Sequence, residues 1–471
     1  MTSARVPARV ARASDGAVKR STRRRRFVES FRTRPSAWAA ALAFAVAVLH
    51  GPASSFVYDA GGYWVGARSI VEGWAVADVY NAGWLAVRGI GTVSIYLPSV
   101  LFHEIGGTPA GQIAVLIQNA MLIACVGAVL IPQMIRLIAP LRAVQVWVSA
   151  VGTASLLSGF APYPLMDLWA ASFVLAGLLL VCKRGGGALL AGGVLLGLAV
   201  NLRPAYLVPV GLAAVIWAAF RWRSSPWALA GGLASVLPQV ISNRLLAGSW
   251  SPWPVQSFVV TNIQTQYAAF VVRYDTVAFA PSSSPQQFYC NPQMASAVAG
   301  HVPSSSPELL QAFLANLGDA TLLVGEKIAA TLFWSFVTPY SNPPGDKSAL
   351  TVVVLAVTAL GTVAVVGLLV RRRDWRRAPL LPALIAVLVG SLVTLAVATP
   401  EARFAMPLVL IGILGCVTLI PSRDGAAGRR ANLVMFLAAA ALAAGLFGLG
   451  TVGLAHPATA GDVTATQCRH S

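Results

Sequence analysis

The feature that most constrains this chain is a succession of apolar blocks, each close to the length of a membrane span. They cover residues 37–56, 110–135, 143–160, 164–182, 186–202, 204–220, 226–243, 348–370, 379–398, 404–420 and 431–454. A helix needs about 20 mostly apolar residues to cross the hydrocarbon of a bilayer. Eleven such blocks predict an all-α polytopic membrane protein with about eleven transmembrane helices. A β-barrel would show short segments of alternating polarity instead. Composition agrees: 57% of the 471 residues are hydrophobic and 11% are charged, against roughly 25% charged in a soluble domain.

Charge sets the orientation. A net charge of +18 by itself suits a polyanionic partner such as nucleic acid, but its distribution argues otherwise. With the N-terminus inside, 25 of the 34 Lys and Arg fall on the cytoplasmic side, in the opening tail with Arg23, Arg24, Arg25 and Arg26 and in loops such as Arg371–Arg377. That is the positive-inside pattern and a contact for anionic lipid, so no nucleic-acid partner is expected. The tail shares the Arg-rich, polar character of a transit peptide, but the block after it is long and lacks a clear small-residue cleavage site. The expected plan is a disordered basic cytoplasmic tail over 1–36 and a catalytic membrane module over 37–243, with a first outer loop at 57–109. A large outer segment over 244–347, C-terminal spans over 348–454 and an extracytoplasmic tail over 455–471 follow. The location is the plasma membrane, multi-pass, with the C-terminus outside.

Within the outer regions, an apolar piece around Val93–Phe102, interrupted by Pro98, is too short to span and reads as an interfacial helix. A second such helix is expected near 321–338. Pro281–Pro285 and Pro303–Pro307 punctuate loops. Cys125, Cys182 and Cys416 fall within blocks and read as small packing residues. Cys290 and Cys468 fall outside, where disulfides are permitted; they either pair or stand as two free thiols. No Cys/His spacing predicts a metal site, and involvement of a divalent metal stays open.

No Gly-rich phosphate loop follows a strand, and no Ser-His-Asp arrangement stands out. What remains is a set of charges at outer helix ends: Asp59, Asp167, Arg203, Glu401 and Arg403. Ionisable groups near membrane depth are expensive and mark functional sites. Arginines suit a phosphate, which they engage through parallel hydrogen bonds; a carboxylate suits proton abstraction from a hydroxyl. Each has a simpler alternative. Arg203 and Arg403 can mark helix boundaries and snorkel, Asp167 can cap a helix, and Asp59 can sit in a turn beside Gly61 and Gly62.

These residues carry a resemblance. The stretch Asp59-Ala60-Gly61-Gly62-Tyr63-Trp64-Val65-Gly66-Ala67-Arg68, then Gly73, Val79-Tyr80-Asn81 and Tyr96-Leu97-Pro98, resembles family 87 of the GT-C glycosyltransferases, whose members include actinobacterial mannosyltransferases. Met166-Asp167-Leu168, Gly192, Gly197, Arg203-Pro204 and Arg403-Phe404-Ala405-Met406-Pro407 are similar to GT-C proteins more widely. The chain departs at Leu97, where a second Pro is common, and the 244–347 segment matches no motif. The resemblance implies an enzyme of cell-envelope biosynthesis. It would move a sugar with inversion from a polyprenyl-phosphate donor to a hydroxyl of a glycolipid or glycan on the outer face. Asp59 would be the base, seconded by Asp167, and Arg203 and Arg403 would bind the donor phosphate. Tyr63, Trp64, Arg68, Tyr96 and Glu401 would line the substrates. The Ala- and Arg-rich composition suits a high-GC actinobacterium, and in that setting the resemblance implies mannose or arabinofuranose as the sugar. No cofactor is expected beyond the lipid-linked sugar itself. Two rivals remain: a lipid-linked-sugar flippase, against which the lack of matched internal repeats speaks, and a noncatalytic envelope-assembly subunit.

Overall fold

The computed structural model describes residues 35–81, 84–183, 185–276, 286–334, 338–340, 349–371, 379–420, 427–458 and 463–470. The basic tail over 1–34, the Pro281–Pro285 loop, and Arg184, Arg372, Arg373, Arg376, Arg377 and Arg423 lie outside them. Each apolar block falls on a helix, as hydrocarbon demands where every backbone N–H and C=O needs an internal partner, except that the first, expected over 37–56, is helical only as far as Val48. In chain order the helices begin with α1 (Pro35–Val48), α2 (Tyr58–Val71), α3 (Val76–Asn81), α4 (Trp84–Arg88), α5 (Gly91–Ser94), α6 (Leu97–Cys125) and α7 (Ile131–Ile138). There follow α8 (Ala143–Leu157), α9 (Met166–Val181), α10 (Gly186–Leu202), α11 (Leu207–Arg221) and α12 (Ser225–Ala247). Six helical stretches among the described residues are long and apolar enough to cross a membrane: Leu97–Ile138, Ala143–Phe160, Pro204–Ala247, Ala349–Arg371, Leu380–Val397 and Leu433–Gly453. Pro35–Val48, Met166–Val181, Gly186–Leu202 and Ala402–Thr418 are shorter apolar helices.

The region expected as a loop over 57–109 is largely helical. Asp59 lies in the first turn of α2, not in a turn between elements. The interfacial piece expected around Val93–Phe102 is not one helix. Pro98 falls in the first turn of α6, where a missing N–H leaves no bond unmade, so α6 starts there. It runs on to a kink at Gly107, whose φ is 71°. Past α6, a π-helical turn over Val126–Leu130 leads into α7, and Pro132 follows directly. A wide turn accommodates a residue that cannot donate to the helix.

The segment after α12 is not the loop expected from its composition. It holds α13 (Ser257–Ala268), β1 (Val271–Thr276), β2 (Gln286–Cys290), α14 (Pro292–Val298), α15 (Ser306–Ala315) and α16 (Leu317–Thr331). The membrane helices resume with α17 (Ala349–Arg371), α18 (Leu380–Val397), α19 (Met406–Thr418) and α20 (Ala427–Gly453). The chain ends with β3 (Pro457–Ala458) and α21 (Ala465–Arg469). The three strands form one antiparallel sheet in the order β1-β2-β3, with Tyr274 opposite Phe288 and Phe288 opposite Ala458. The fold is therefore mostly, not wholly, α-helical. A disulfide joins Cys290 to Cys468, so the C-terminal tail is bonded to the segment. This part has its own core, built around Phe270, Phe288, Met294 and Leu323, distinct from the main core of the apolar helices. In the main core α17 crosses α19 so closely that a Cβ on Gly361 would overlap the backbone of Gly412. Small residues allow such crossings where lipid supplies no hydrophobic drive between helices.

Candidate functional site

Four of the five charges singled out at helix ends are brought onto one another by α2, α9, the turn after α10 and the 3-10 turn Ala402–Ala405 before α19. Glu401 joins them from the residue before that turn. Arg403 is the hub. Its Nη2 donates to Asp59 Oδ2 at 2.7 Å, its Nε donates to Glu401 Oε2, and its Nη1 lies 3.6 Å from Asp167 Oδ2. Arg203 donates from Nε to Asp167 Oδ1 at 2.7 Å and sits 4.7 Å over the ring of Phe404. Glu401 accepts a second bond, from Thr276 Oγ1 on β1, at 2.5 Å. Arg203 is 6% exposed and Arg403 4%, so neither snorkels. Asp167 spends its carboxylate on arginines, and the N-cap of α9 is Leu165, with no side-chain cap.

A third arginine, which hydropathy and helix-end position did not single out, completes the cluster. Arg88, the last residue of α4, donates from Nη2 to Asp59 Oδ1 at 2.9 Å. Three guanidinium groups thus face three carboxylates. Burial works to raise the pKa of Asp59, but Arg88, Arg403 and Arg203 outweigh it and hold the carboxyl well below the usual range. Glu401 goes the other way, since burial prevails over the pull of Arg403 and its pKa is raised.

Arg203 Nη2 and Arg403 Nη1 are buried without a hydrogen-bond partner. An unmade bond at a buried polar group costs roughly 1–3 kcal/mol, so a buried N–H left over in a native site asks for an acceptor. Phosphate oxygens are the acceptors best matched to a guanidinium. The cluster borders a cavity of about 700 Å³ with two kinds of wall. Asp59, Tyr63, Arg88, Arg203 and Tyr274 supply polar groups, while Leu309 and Phe313 of α15 and Val397 of α18 are apolar.

Tyr63 lies one helical turn beyond Asp59 and lines this cavity. The structure does not bring Trp64, Arg68 or Tyr96 to it. Trp64 packs edge-on against Phe56 and His103. Arg68 is half-exposed and pairs with Glu72 at 2.6 Å. The Tyr96 hydroxyl is fully buried within bonding distance of Asn119 Oδ1 and the Leu165 carbonyl, so it braces the start of α9 from behind. Tyr274 and Thr276, missed by the sequence reading, come from a strand with no alternating pattern to expose it. Arg88 did carry a signal: it is one of the few cations on the side of the chain opposite the basic loops. No protein-family model, no curated protein and no solved structure matches this chain.

Proposed function

We propose that this protein is a GT-C-type membrane glycosyltransferase. In this reading it transfers a sugar, mannose or arabinofuranose first among the choices, from a polyprenyl-phosphate donor to a hydroxyl on a glycolipid or glycan. One observation carries the proposal. An unsatisfied guanidinium nitrogen of Arg203 and an ionised Asp59 lie at a cavity that also has an apolar wall, and Arg403, bonded to that Asp59 from behind, holds a second unsatisfied nitrogen. A phosphate, a proton acceptor and a prenyl chain are served by those three features in turn.

The reaction is a single displacement. The acceptor oxygen attacks C1 of the sugar. The bond from C1 to the phosphate oxygen breaks and its electron pair leaves on that oxygen, while the hydroxyl proton passes to the Asp59 carboxylate. Inversion follows, because base and leaving group lie on opposite faces and no covalent enzyme intermediate forms. Arg203 and Arg403 neutralise the charge that develops on the phosphate. A carboxylate bound by two arginines is a weak base, and donor binding remedies this. As the phosphate draws N–H bonds from Arg403, Asp59 loses part of the field that suppresses its basicity. The prenyl chain runs along Leu309, Phe313 and Val397, not along Trp64 and Tyr96. Eleven spans, an internal N-terminus and an external C-terminus in the plasma membrane put this chemistry on the outer face, and the Lys/Arg bias supports that orientation.

Membranes containing the protein, offered a panel of radiolabelled polyprenyl-phosphate sugars, test the proposal. The expected outcome is transfer from one donor with inversion, lost when Asp59 is changed to Asn. Movement of intact lipid across the bilayer without sugar transfer would replace it with the flippase. Reporter fusions test the topology separately: one after Arg223 reads cytoplasmic and one at Ser471 external, and a cytoplasmic Ser471 would overturn the map.

A further inference from the structure

Glu401 and Arg403 ride on the short connection between α18 and α19, and that connection is held by the segment over 257–334. The backbone N–H of Thr399 donates to Gln264 Oε1 at 3.0 Å and that of Tyr274 to the Pro400 carbonyl at 3.1 Å. Trp334 Nε1 donates to the Ala402 carbonyl at 2.9 Å. The strongest anchor is Lys327 of α16, which is wholly buried. Its ammonium donates to the carbonyls of Ala268 at 2.6 Å, Ala398 at 2.9 Å and Ala396 at 3.3 Å. Three acceptors use all three of its N–H groups. They lie at the C-terminal ends of α13 and α18, where the helix dipoles favour a cation.

We propose that Lys327 is a positioning residue. By tying the end of α18 to α13 it sets the angle at which Arg403 meets the donor phosphate and Asp59. The inference rests on the glycosyltransferase reading. A purely structural role fits poorly. Among the described residues no carboxylate lies within ion-pair distance of Lys327, and a buried cation without a counter-ion is expensive. A well-packed apolar side chain would hold a fold as well. Burial pushes the amine down to about 7. The charged groups on the elements packed around it are engaged elsewhere. Glu326 accepts from Asn291 and Arg273 is held by Asp275 and two carbonyls, while Glu401 and Arg403 hold each other. The sign of its titration is useful. The native state sheds this proton before the unfolded chain does, so the stability contribution of Lys327 rises with pH above about 7. Over the same range the clamp loses one of its N–H donors. Stability and donor binding therefore move in opposite directions.

The test uses the full chain in lipid nanodiscs with Lys327→Met. The expected result is a donor KM raised roughly tenfold, the worth of one charge-assisted hydrogen bond, with the acceptor KM unchanged. Affinity for a polyprenyl monophosphate without sugar falls by the same factor, and amide exchange at Thr399 and Phe404 quickens. The donor KM of the unaltered protein climbs from about pH 6 to about pH 8.5 while the variant stays flat, following the lost ammonium. A lower maximal rate with both KM values, phosphate-lipid affinity and pH profile unchanged would mean fewer folded molecules and nothing more, and would overturn the proposal. If Lys327→Met fails to insert, Thr399→Val loosens the same connection more gently, by removing the bond that Thr399 Oγ1 donates to the Gln264 carbonyl at 3.2 Å. A smaller rise in donor KM there supports the inference, and none overturns it. Should the unaltered protein transfer no sugar from any donor, the glycosyltransferase reading fails alone. Phosphate-lipid affinity and amide exchange still decide what Lys327 does.

Discussion

Arg273 and Arg403 are both buried arginines held by carboxylates, one in the segment over 257–334 and one among the membrane helices, and they are satisfied in different ways. Arg273 donates from Nε to Asp275 Oδ1 at 2.7 Å and from Nη1 to the carbonyls of Ala330 and Phe333 at 2.6 and 2.7 Å, and its Nη2 lies 2.6 Å from Asp275 Oδ1. No nitrogen is left over. Arg403 touches three carboxylates, yet its Nη1 keeps no hydrogen bond, and neither does Nη2 of neighbouring Arg203. A closed pair locks two backbone segments together. An open one leaves a donor unmet within a cluster whose other members, Asp59, Arg88 and Arg203, line a cavity. Burial and pairing alone do not separate a structural arginine from a ligand-binding one; unmet hydrogen-bonding capacity beside space does.

The largest effects break the comparison on each side. Asp59→Asn keeps the shape and one acceptor oxygen for the arginines but removes the proton acceptor, so transfer falls by about 10²–10⁴-fold, the usual worth of a general base. Donor binding survives, and binding and turnover measured on one preparation separate the two. Asp167→Asn loses less, because Asp167 orients Arg203 and does not line the larger cavity. A dead Asp167→Asn beside an active Asp59→Asn would exchange their roles. Arg273→Met has the opposite signature. It strands Asp275 and two carbonyls and lowers stability by about 3–5 kcal/mol, while the surviving folded molecules keep their donor KM. A changed donor KM there would show that Arg273 reaches the site after all.

The next effect sharpens the contrast through the phosphate. Arg203→Lys and Arg403→Lys keep the charge but lose the planar fork, and each weakens donor use by roughly 10–100-fold, the range for a hydrogen bond to a charged group. Ligand-linked stability offers an activity-free check. At a hundred times its Kd, a polyprenyl phosphate stabilises the native state by about 2.7 kcal/mol. Thermal unfolding at one fixed lipid concentration should show that gain in the unaltered protein and in Arg273→Met, and a much reduced gain in the two Lys variants. Equal gains in all four would return Arg203 and Arg403 to a structural role.

The two regions also differ in what could be read from sequence. The membrane helices announce themselves because lipid demands long apolar runs, and Asp59, Asp167, Arg203, Glu401 and Arg403 stood out as charges where such runs end. Trp64, Arg68 and Tyr96 were included because they neighbour those motifs, but a helix turns its residues to different faces, and the partners of Trp64 and Tyr96 lie in the core. The other region hid its fold. β1 is buried almost end to end despite Arg273 and Asp275, so it has no alternating pattern. β3 is two residues long and pairs with a strand about 170 positions earlier, Phe288 opposite Ala458. Contacts at that separation leave no local periodicity. The cations would have served as a signal. Of the cations that the charge pattern assigns to the side opposite the basic loops, Arg203, Arg273, Lys327 and Arg403 are buried and Arg88 partly so, while Arg68 and Arg244 are exposed.

Arg88 carries the smallest expected effect and the finest test. It supplies Asp59 with one of its two arginine bonds, and the other comes from Arg403. Removing it by Arg88→Gln has two opposed consequences. Asp59 is held less firmly, which slows transfer, and its basicity rises, which speeds proton abstraction. The net change near neutral pH is therefore small, less than about tenfold in either direction. The acid side of the pH profile is less ambiguous. The pKa of Asp59 is depressed in the folded protein, so the benefit of its ion pairs is present above the unfolded carboxylate's pKa and is lost as pH falls through the folded value. With Arg88 gone the folded value rises, so activity begins to fail at a higher pH than before, and the acid loss of stability is smaller and complete at a higher pH. Arg273→Met, which touches no part of this cluster, leaves the position of that limb unchanged. An acid limb that stays in place in Arg88→Gln would mean that Asp59 is not the group whose protonation stops the reaction. The nearest remaining carboxylates, Asp167 and Glu401, would then have to be tested in its stead.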